Sequence, residues 1–303
     1  MTKTSTASNK IREGSRAATV LIYCCVIAIC FVTIYPMYYV LILSLSEPAA
    51  AMTMKVYTIP KGFSLDSYRV LVKDAEMWRA YLNTILYAVS TTVLMVLTCI
   101  FAAYPLTSKN LRGRKFINTF LLIPMYFSGG MIPSFLLVTQ LGLYDNPLAM
   151  ILPSCFSIWN IILVKAYFSS FPETFREAAK IDGANTYQIL FQIYLPMSMP
   201  IIAVICVYTI VGVWNSWFNA MIYLPHPTWQ PLQLYLRRVL VENTRSVAQF
   251  LDPVEAKTLA LKQMSNAQMQ YAMIIFSTLP ILATYPFFQK YFVKGVMLGS
   301  LKE

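Results

Sequence analysis

The chain has 303 residues, of which 57% are hydrophobic and only 12% are charged, whereas soluble domains are roughly a quarter charged. This composition excludes an ordinary soluble protein and predicts an integral membrane protein. The net charge of +11 comes from 24 basic residues scattered over many short segments, which argues against a nucleic-acid-binding domain.

Six uncharged runs are long enough to cross a bilayer core of about 30 Å as helices. In chain order they cover residues 17–46, 80–108, 116–144, 146–164, 197–224 and 268–289. Their hydrophobicity does not alternate as a membrane barrel requires, so an all-α integral membrane protein with six transmembrane helices is predicted. The first run is about twice as long as the apolar core of a secretory signal peptide, so we expect it to stay in the membrane.

The distribution of lysine and arginine predicts how the helices are oriented. Of the 24 basic residues, 14 lie on the side that carries both termini, and the others lie in two long loops where charge has less influence. Both termini are therefore predicted to be cytoplasmic. The predicted organisation is a basic leader at residues 1–16 and one transmembrane domain at residues 17–303, with outer loops at residues 47–79 and 225–263 and a cytoplasmic tail at residues 290–303.

Cysteine and histidine give no sign of a metal site. All six cysteines lie inside apolar runs without the paired spacing of metal ligands, and they are predicted to be buried small hydrophobic residues: Cys24, Cys25, Cys30, Cys99, Cys155 and Cys206. His226, the one histidine, lies between two prolines in the second outer loop and is predicted to be a surface residue.

The third run contains Gly129 and Gly130, with Pro124 and Pro133 on either side. This pattern predicts a broken helix, and such breaks often line a cavity in membrane transporters. Glycine and proline are also common in unbroken membrane helices, and the sequence does not choose between these alternatives.

A polar segment at residues 170–196 interrupts the apolar chain on the predicted cytoplasmic side. Ser170 and Glu173 have the spacing of a capping box, with Pro172 in the first turn, so a helix is predicted to begin near Pro172. Its charged residues lie three and four apart, which allows local ion pairs on a solvated face: Glu173, Arg176, Glu177 and Lys180.

The end of this polar segment is predicted from glycine and proline. Gly183 should close the first helix, because glycine accepts the left-handed conformation, and a second helix should follow over residues 184–194 before Pro196 returns to the bilayer. Ala178 and Ala179 are small enough to let another surface approach. The segment is therefore predicted to be a docking element, and an ordinary connecting loop is the alternative.

The order Glu177-Ala178-Ala179, Gly183, Ile193 and Leu195-Pro196 closely resembles the EAA loop of binding-protein-dependent ABC importer permeases. The stretches YLNTI at 81–85, WNSWFNAMIYL at 214–224 and YPFFQKYFVKGVMLGS at 285–300 extend the resemblance to the carbohydrate branch, which is related to the maltose-transporter permeases. Within that branch the chain looks like the complex-oligosaccharide or lipoprotein-type subgroup. The resemblance covers roughly residues 17–303 and implies the type I importer permease fold in a bacterial cell membrane.

This resemblance implies that a cytoplasmic ABC ATPase dimer receives the first helix of the polar segment. The implied coupling residues are Glu177, Ala178, Ala179, Asp182, Gly183, Leu195 and Pro196. No G-x-x-x-x-G-K-[ST] motif occurs in the sequence, so ATP and Mg are expected on the partner ATPase and no cofactor is expected in this chain. The other implied partners are a second homologous permease subunit, an extracellular or periplasmic solute-binding protein, an oligosaccharide and membrane lipid.

A sugar substrate would favour amide and aromatic side chains along its path, since amides bond to hydroxyl groups and rings cover C–H faces. The candidate path residues are Gly129, Gly130, Trp214, Asn215, Trp217 and Asn219, and more weakly Asn83, Trp159 and Asn160. Two alternatives stay open: the tryptophans belong to an interfacial belt, or the amides lock helices together.

Other functional classes find less support. No acidic residue lies within a predicted span, which disfavours a proton relay or a carboxylate cation site. An integral membrane enzyme acting on glycan or lipid is the main alternative, and a channel subunit is another. The sequence contains no H-E-x-x-H motif, and with one histidine no Ser/His/Asp set is plausible. A transport subunit with no catalytic residues of its own is therefore predicted.

Overall fold

The computed structural model describes residues 16–54, 56–245, 268–284 and 286–289. These residues form helices joined by turns, with no β-strand among them, which confirms the all-α fold. The chain divides into two compact units. Unit 1 comprises Met1–Ser67 and Ala260–Ile275, and unit 2 comprises Tyr68–Leu259 and Phe276–Glu303.

The helices of the described residues are given in chain order. The first eight are α1 (Arg16–Ser44), α2 (Pro48–Thr53), α3 (Asp66–Lys73), α4 (Ala75–Thr107), α5 (Arg114–Tyr126), α6 (Met131–Gln140), α7 (Leu148–Ile151) and α8 (Ile158–Ser169). The polar segment contains α9 (Glu173–Ile181), α10 (Thr186–Gln188), a π-helical turn (Ile189–Tyr194) and α11 (Leu195–Met197). They are followed by α12 (Met199–Trp214), α13 (Phe218–Tyr223), a 3-10 turn (Pro227–Trp229), α14 (Leu232–Arg245) and α15 (Gln268–Gln289).

In unit 1, helix α1 is long and apolar and contributes little to the core of the chain. Its candidate span Ala18–Ser44 has a mean hydropathy of 2.5, and none of that window is buried by the described residues. Only its last turns pack, where Ile42 and Leu43 meet Val56. The buried Gln268 amide donates to the carbonyl oxygens of Ser44 and Ser64, both at 3.3 Å, so buried polar groups in this unit are paired.

In unit 2, helix α4 is the central element. Asp74 caps its first turn by accepting from the backbone N–H groups of Glu76 (2.8 Å) and Met77 (3.2 Å). Helices α8 and α12 pack against it, and the core at the C-terminal half of α4 consists of apolar side chains that include Ile100, Ile161 and Ile205. Burial of these side chains positions α9 and the π-helical turn against the end of α4.

The predicted membrane spans correspond to apolar helices, but only some of them are single helices. Among the described residues, three helices are long and apolar enough to cross a membrane: Ala18–Ser44, Ala75–Thr107 and Gln268–Gln289. Two bent helix pairs raise that number to five if each pair is one span, and Ile158–Ser169 is a shorter apolar helix. The count of six spans remains a prediction.

The third run is broken at the predicted glycines. Helix α5 ends at Tyr126, α6 begins at Met131, and the two axes make an angle of 111°. Gly130 has φ +85°, a conformation that favours glycine over any residue with a side chain. The break predicted from Gly129 and Gly130 is therefore confirmed.

The fourth and fifth runs are each predicted to be one continuous helix, and the structure shows that both are interrupted. In the fourth run, α7 ends at Ile151 and α8 begins at Ile158, because Pro153 supplies no N–H to continue the helix and Ser157 caps the next one. In the fifth, α12 ends at Trp214 and α13 begins at Phe218. Each break exposes backbone groups that an unbroken helix would pair internally.

The cysteines differ from the expected pattern on α1. Cys99 is buried, whereas Cys24, Cys25 and Cys30 are exposed on the isolated chain, so the predicted burial is wrong for these three. The physical reason is that α1 has few neighbours along its length among the described residues. All six cysteines are free thiols, and no metal-binding group of histidine, cysteine and carboxylate residues occurs in the described ranges.

Candidate functional site

The polar segment begins differently from its predicted start. Helix α9 begins at Glu173, and Pro172 at its N-cap position supplies no side-chain hydrogen bond. The Ser170 hydroxyl donates instead to the Tyr167 carbonyl oxygen at 2.7 Å, because Ser170 still has helical backbone angles at the end of α8. The predicted capping box at Ser170 and Glu173 is therefore wrong.

Helix α9 ends as predicted, in a two-bond glycine cap. Gly183 has φ +79°, its N–H donates to the Lys180 carbonyl oxygen at 3.1 Å, and the Ala184 N–H donates to that of Ala179 at 2.9 Å. This pair of bonds is the Schellman motif, which needs a left-handed residue at the position of Gly183. The chain direction after α9 is thus fixed by one glycine.

The second helix begins two residues later than predicted and extends further. Asn185 caps α10 in a complete capping box with Gln188, and the helical path continues through the π-helical turn to Met197. At Ser198 the chain then bends by 76° into α12. Pro196 lies before this bend, still in the helix along the polar segment.

The inward face of α9 is attached to the end of α4 by an arginine between two aromatic rings. The Arg176 guanidinium carbon lies 5.3 Å from the ring centre of Tyr104 and 5.2 Å from that of Tyr194. Its Nη2 donates to Thr107 Oγ1 at 2.8 Å. Ala179 is buried beside these rings, so of the two alanines only Ala178 remains available to another surface. We call Arg176, Tyr104, Tyr194 and Thr107 the arginine clamp.

The ion pair of α9 is not the local one allowed by its sequence. Glu173 Oε2 lies 2.5 Å from Lys109 Nζ, which belongs to the loop after α4. The hydrogen bond from Lys109 holds the pKa of Glu173 below its usual value. Because both side chains are largely exposed, this pair adds orientation to the arginine clamp rather than much stability.

The outward face of the polar segment exposes apolar and acidic side chains together. Ile181 is 86% exposed and Tyr187 is 68% exposed, which is unusual for large apolar residues in a polar segment. Glu177, Ala178 and Asp182 are exposed beside them, Pro196 is exposed and Leu195 is half-buried. We call the exposed residues Glu177, Ala178, Ile181, Asp182 and Tyr187 the docking face.

A cavity of about 270 Å³ in unit 2 lies between the α7–α8 break and the α12–α13 break. Ser154 comes from the break between α7 and α8, and Ser216 comes from the break between α12 and α13. The polar residues that line it are Ser154, Asn160, Tyr208, Thr209, Ser216 and Asn219. The remaining lining side chains are apolar, so no charged group faces the cavity from the described residues. We call this the break cavity.

Residues 81–298 match the family model described as the binding-protein-dependent transport system inner membrane component. The chain belongs to this family. Protein LplC of Bacillus subtilis (strain 168) is 34% identical over 271 residues, which cover 89% of this chain and 90% of that protein. The polygalacturonan/rhamnogalacturonan transport system permease protein YtcP of the same organism is 32% identical over 293 residues, which cover 95% of this chain and 99% of that protein.

A solved structure supports the same assignment. A chain in the crystal structure of a bacterial ABC transporter involved in the import of the acidic polysaccharide alginate is 32% identical to this permease, with a TM-score of 0.81. The similarity covers 92% of this chain and 98% of that chain. The predicted membership of the ABC importer permeases, with their all-α fold, is therefore confirmed.

The structure separates the candidate path residues of the permease into two groups. Asn160 and Asn219 line the break cavity. Asn83 instead donates to the carbonyl oxygens of Thr228 (2.8 Å) and Gln230 (3.2 Å). Gly129 and Gly130 form the break between α5 and α6 and do not line the break cavity.

The remaining candidates near the α12 break have protein partners. The buried Trp214 indole donates to the Ser277 carbonyl oxygen at 3.1 Å, and the Asn215 amide donates to that of Val211 at 2.9 Å. The Arg237 guanidinium carbon lies 3.8 Å from the ring centre of Trp217. Trp159 is exposed. Whether any of these residues touches substrate remains a prediction.

Sequence reasoning missed the hydroxyl residues of the break cavity and the clamp role of Arg176. Thr209 and Ser154 lie in uncharged runs where hydroxyl residues are common, and only the two helix breaks bring them together. A usable signal for the first break was Pro153 in the middle of the fourth run. The aromatic partners of Arg176 are 72 and 18 positions away in the sequence, so no local pattern announces them.

His226 lies just after the fifth run and is predicted from the sequence to be a surface residue. Its side chain is 73% exposed, and its Nε2 lies 3.7 Å from Asp145 Oδ2. The His226 backbone N–H also donates to Asp145 Oδ1 at 3.4 Å, and the Asp145 N–H donates to the Tyr223 carbonyl oxygen at 2.9 Å, so several contacts join the loop before α14 to the connection between α6 and α7.

Proposed function

We propose that this permease forms half of the translocation path of an ATP-driven importer for an oligosaccharide, and that a separate ATPase drives it through α9. The observation that carries this proposal is the docking face. It combines exposed Glu177 and Ile181 on the short helix α9 with exposed Asp182 just after it and exposed Tyr187 on α10, while the other face of α9 is fixed to α4 by the arginine clamp.

The two faces of α9 suit a mechanical link. Exposed apolar side chains rimmed by charge are typical of a protein interface, and a short helix can seat in a cleft of its partner. The arginine clamp means that displacement of α9 also displaces the end of α4, a 33-residue helix at the centre of unit 2. ATP and Mg would bind to the partner, in keeping with the absence of a G-x-x-x-x-G-K-[ST] motif from the sequence.

The relatives favour an oligosaccharide that carries uronic acid. YtcP is named for polygalacturonan and rhamnogalacturonan, and the solved structure concerns import of the acidic polysaccharide alginate. We therefore propose fragments of acidic polysaccharides as the first substrate class to test with this permease.

The proposed assembly contains further partners. The family description names a binding protein, which would deliver the oligosaccharide to the outer side. A second homologous permease would complete the path. The apolar side chains of α1, which are exposed on the isolated chain, would then contact that subunit and membrane lipid.

The test is Glu177→Lys in the permease expressed with its ATPase and partner permease. Reversal of this exposed charge on the docking face should abolish co-purification of the ATPase, while the permease still inserts and purifies with its partner permease. The matched control is Glu47→Lys, the same charge reversal at an exposed glutamate on the predicted outer side. If Glu177→Lys retains the ATPase and transports normally, α9 is not the docking element.

A further inference from the structure

The break cavity contains a buried hydroxyl group that the described protein leaves without a partner. Thr209 is only 7% exposed, and its Oγ1 has no hydrogen-bond partner among the described residues. An unpaired buried hydroxyl costs free energy, so such groups in native proteins call for an explanation. Thr209 lines the break cavity, and a rotation of its side chain would bring Oγ1 to a bound molecule, since that oxygen itself exposes almost no surface in the described conformation.

The two serines of the break cavity come from positions where the helical hydrogen-bond ladder stops. At Ser154 the chain is in a turn after α7, and the nearby Cys155 carbonyl oxygen accepts from Thr98 Oγ1 at 2.8 Å. At Ser216 the chain runs between α12 and α13. Helix breaks inside a membrane domain are tolerated where they line a cavity, and in transporters they form substrate sites.

The chemistry of this lining selects a class of ligand. It offers hydroxyl and amide groups, which donate and accept hydrogen bonds, and Tyr208 adds an aromatic ring that is 63% exposed. It offers no lysine or arginine to pair with a carboxylate among the described residues. Its volume of about 270 Å³ lies just below the usual range for ligand sites, roughly 300–1,000 Å³, which suits one sugar ring rather than a whole chain.

The geometry points to the break cavity as a sugar subsite that binds one ring of the passing oligosaccharide through its hydroxyl groups and does not read its charge. This inference rests on the proposed function and adds a location and a recognition chemistry to it. Thr209 Oγ1, Ser154, Ser216 and the amides of Asn160 and Asn219 bond to ring hydroxyls. Selection for acidic sugars then belongs to another part of the importer.

The first experiment measures binding of free sugar to the purified importer complex, without its binding protein, by saturation-transfer NMR. The probes are a trimer of galacturonate and a neutral galactose trimer of the same linkage. Both trimers should bind the wild-type complex with Kd values within about threefold of each other, since uncharged hydrogen bonds dominate. A preference above tenfold for the acidic trimer, or no signal from either at millimolar concentration, would overturn the inference.

The variants separate a ligand site from an unfilled gap. Thr209→Val removes one hydroxyl at nearly constant volume and should raise the Kd of both trimers roughly five- to tenfold. Thr91→Val is the matched control, because Thr91 is also buried with an unpartnered Oγ1 but does not line the cavity. It should leave both Kd values within about twofold of the wild-type values. Equal effects of the two variants would refute the assignment.

A third variant tests whether the acidic sugar enters the cavity. Asn219→Asp places a carboxylate in the lining and should weaken the galacturonate trimer at least about fivefold more than the neutral trimer, because like charges repel strongly in a partly buried site. Equal weakening of both would contradict the inference.

Failure of the wild-type complex to import any oligosaccharide with its binding protein would instead count against the proposed function, because the binding measurements do not depend on that delivery.

Discussion

The polar segment at residues 170–196, hereafter the docking segment, and the break cavity both lie in unit 2 and use polar residues in different ways. In the docking segment, Arg176 is stacked between two rings and bonded to Thr107, and Glu173 pairs with Lys109. In the break cavity the polar groups are uncharged, and Thr209 Oγ1 has no partner among the described residues.

The difference follows from what each region has to do. An element that transmits force must not yield, so Arg176 and Glu173 are held by protein partners, even though Arg176 Nε itself has no hydrogen-bond partner among the described residues. A site that binds a passing ligand and releases it again needs groups that remain available, and weak uncharged bonds allow release. Three substitutions in the docking segment, ordered from the largest expected effect to the smallest, test this contrast.

The largest effect is expected for Gly183→Pro. Proline fixes φ near −65°, whereas Gly183 has φ +79°, so the Schellman motif is lost and the chain leaves α9 in a different direction. ATP-driven transport by reconstituted importer should fall below detection.

The matched control at this position is Gly183→Asn, since asparagine tolerates the left-handed conformation better than other residues with a side chain. It should retain most of the transport. Apart from the two neighbouring residues, no atom lies within 4 Å of a Cβ added at Gly183, so the two variants differ mainly in backbone preference. Equal loss in both variants would show that the conformation of Gly183 is not what matters.

An intermediate effect is expected for Arg176→Ala, which removes the centre of the arginine clamp. The lost contacts with two rings and Thr107 should destabilise this end of unit 2 by about 2–3 kcal/mol. The ATPase should still co-purify because the docking face is intact, but sugar transported per ATP hydrolysed should fall severalfold.

Arg176→Lys keeps the charge and loses the planar stacking, so it should lie between wild type and Arg176→Ala. Thermal unfolding in detergent and the transport-to-hydrolysis ratio provide the two measurements. If Arg176→Ala lost the ATPase as completely as Glu177→Lys does, the separation between an inward clamp and an outward docking face would be wrong.

The smallest effect is expected for Glu173→Gln, which removes the exposed ion pair with Lys109. The lowered pKa of Glu173 means that the pair stabilises the fold above the unfolded value of 4.5 and that this contribution is lost as the pH falls through the lower folded value. Wild type and variant should therefore differ slightly and constantly between pH 6 and 8 and converge below pH 4.5. High salt should reduce the small difference. A large difference at neutral pH would mean that Lys109 and Glu173 form part of the arginine clamp.

Much of the architecture was accessible from the sequence. Uncharged runs predict apolar helices, because backbone N–H and C=O groups inside the hydrocarbon core of a bilayer must hydrogen-bond within their own segment. This constraint acts on each run separately. Gly130 and Gly183 predicted a helix break and a helix end for a similarly local reason, since a positive φ is a property of one residue. The order of residues in the EAA loop indicates the permease family from the sequence alone.

Tertiary structure decided which polar groups meet. Arg176 was read as part of a solvated face, but the rings of Tyr104 and Tyr194 surround it because α4 and the π-helical turn converge on α9. Ser154 and Ser216 line one cavity only because two separate helices break at the same place in the packed unit. Local periodicity reports which residues an element can bury, whereas contacts between distant elements depend on how whole helices pack, and no single stretch of the sequence contains that information.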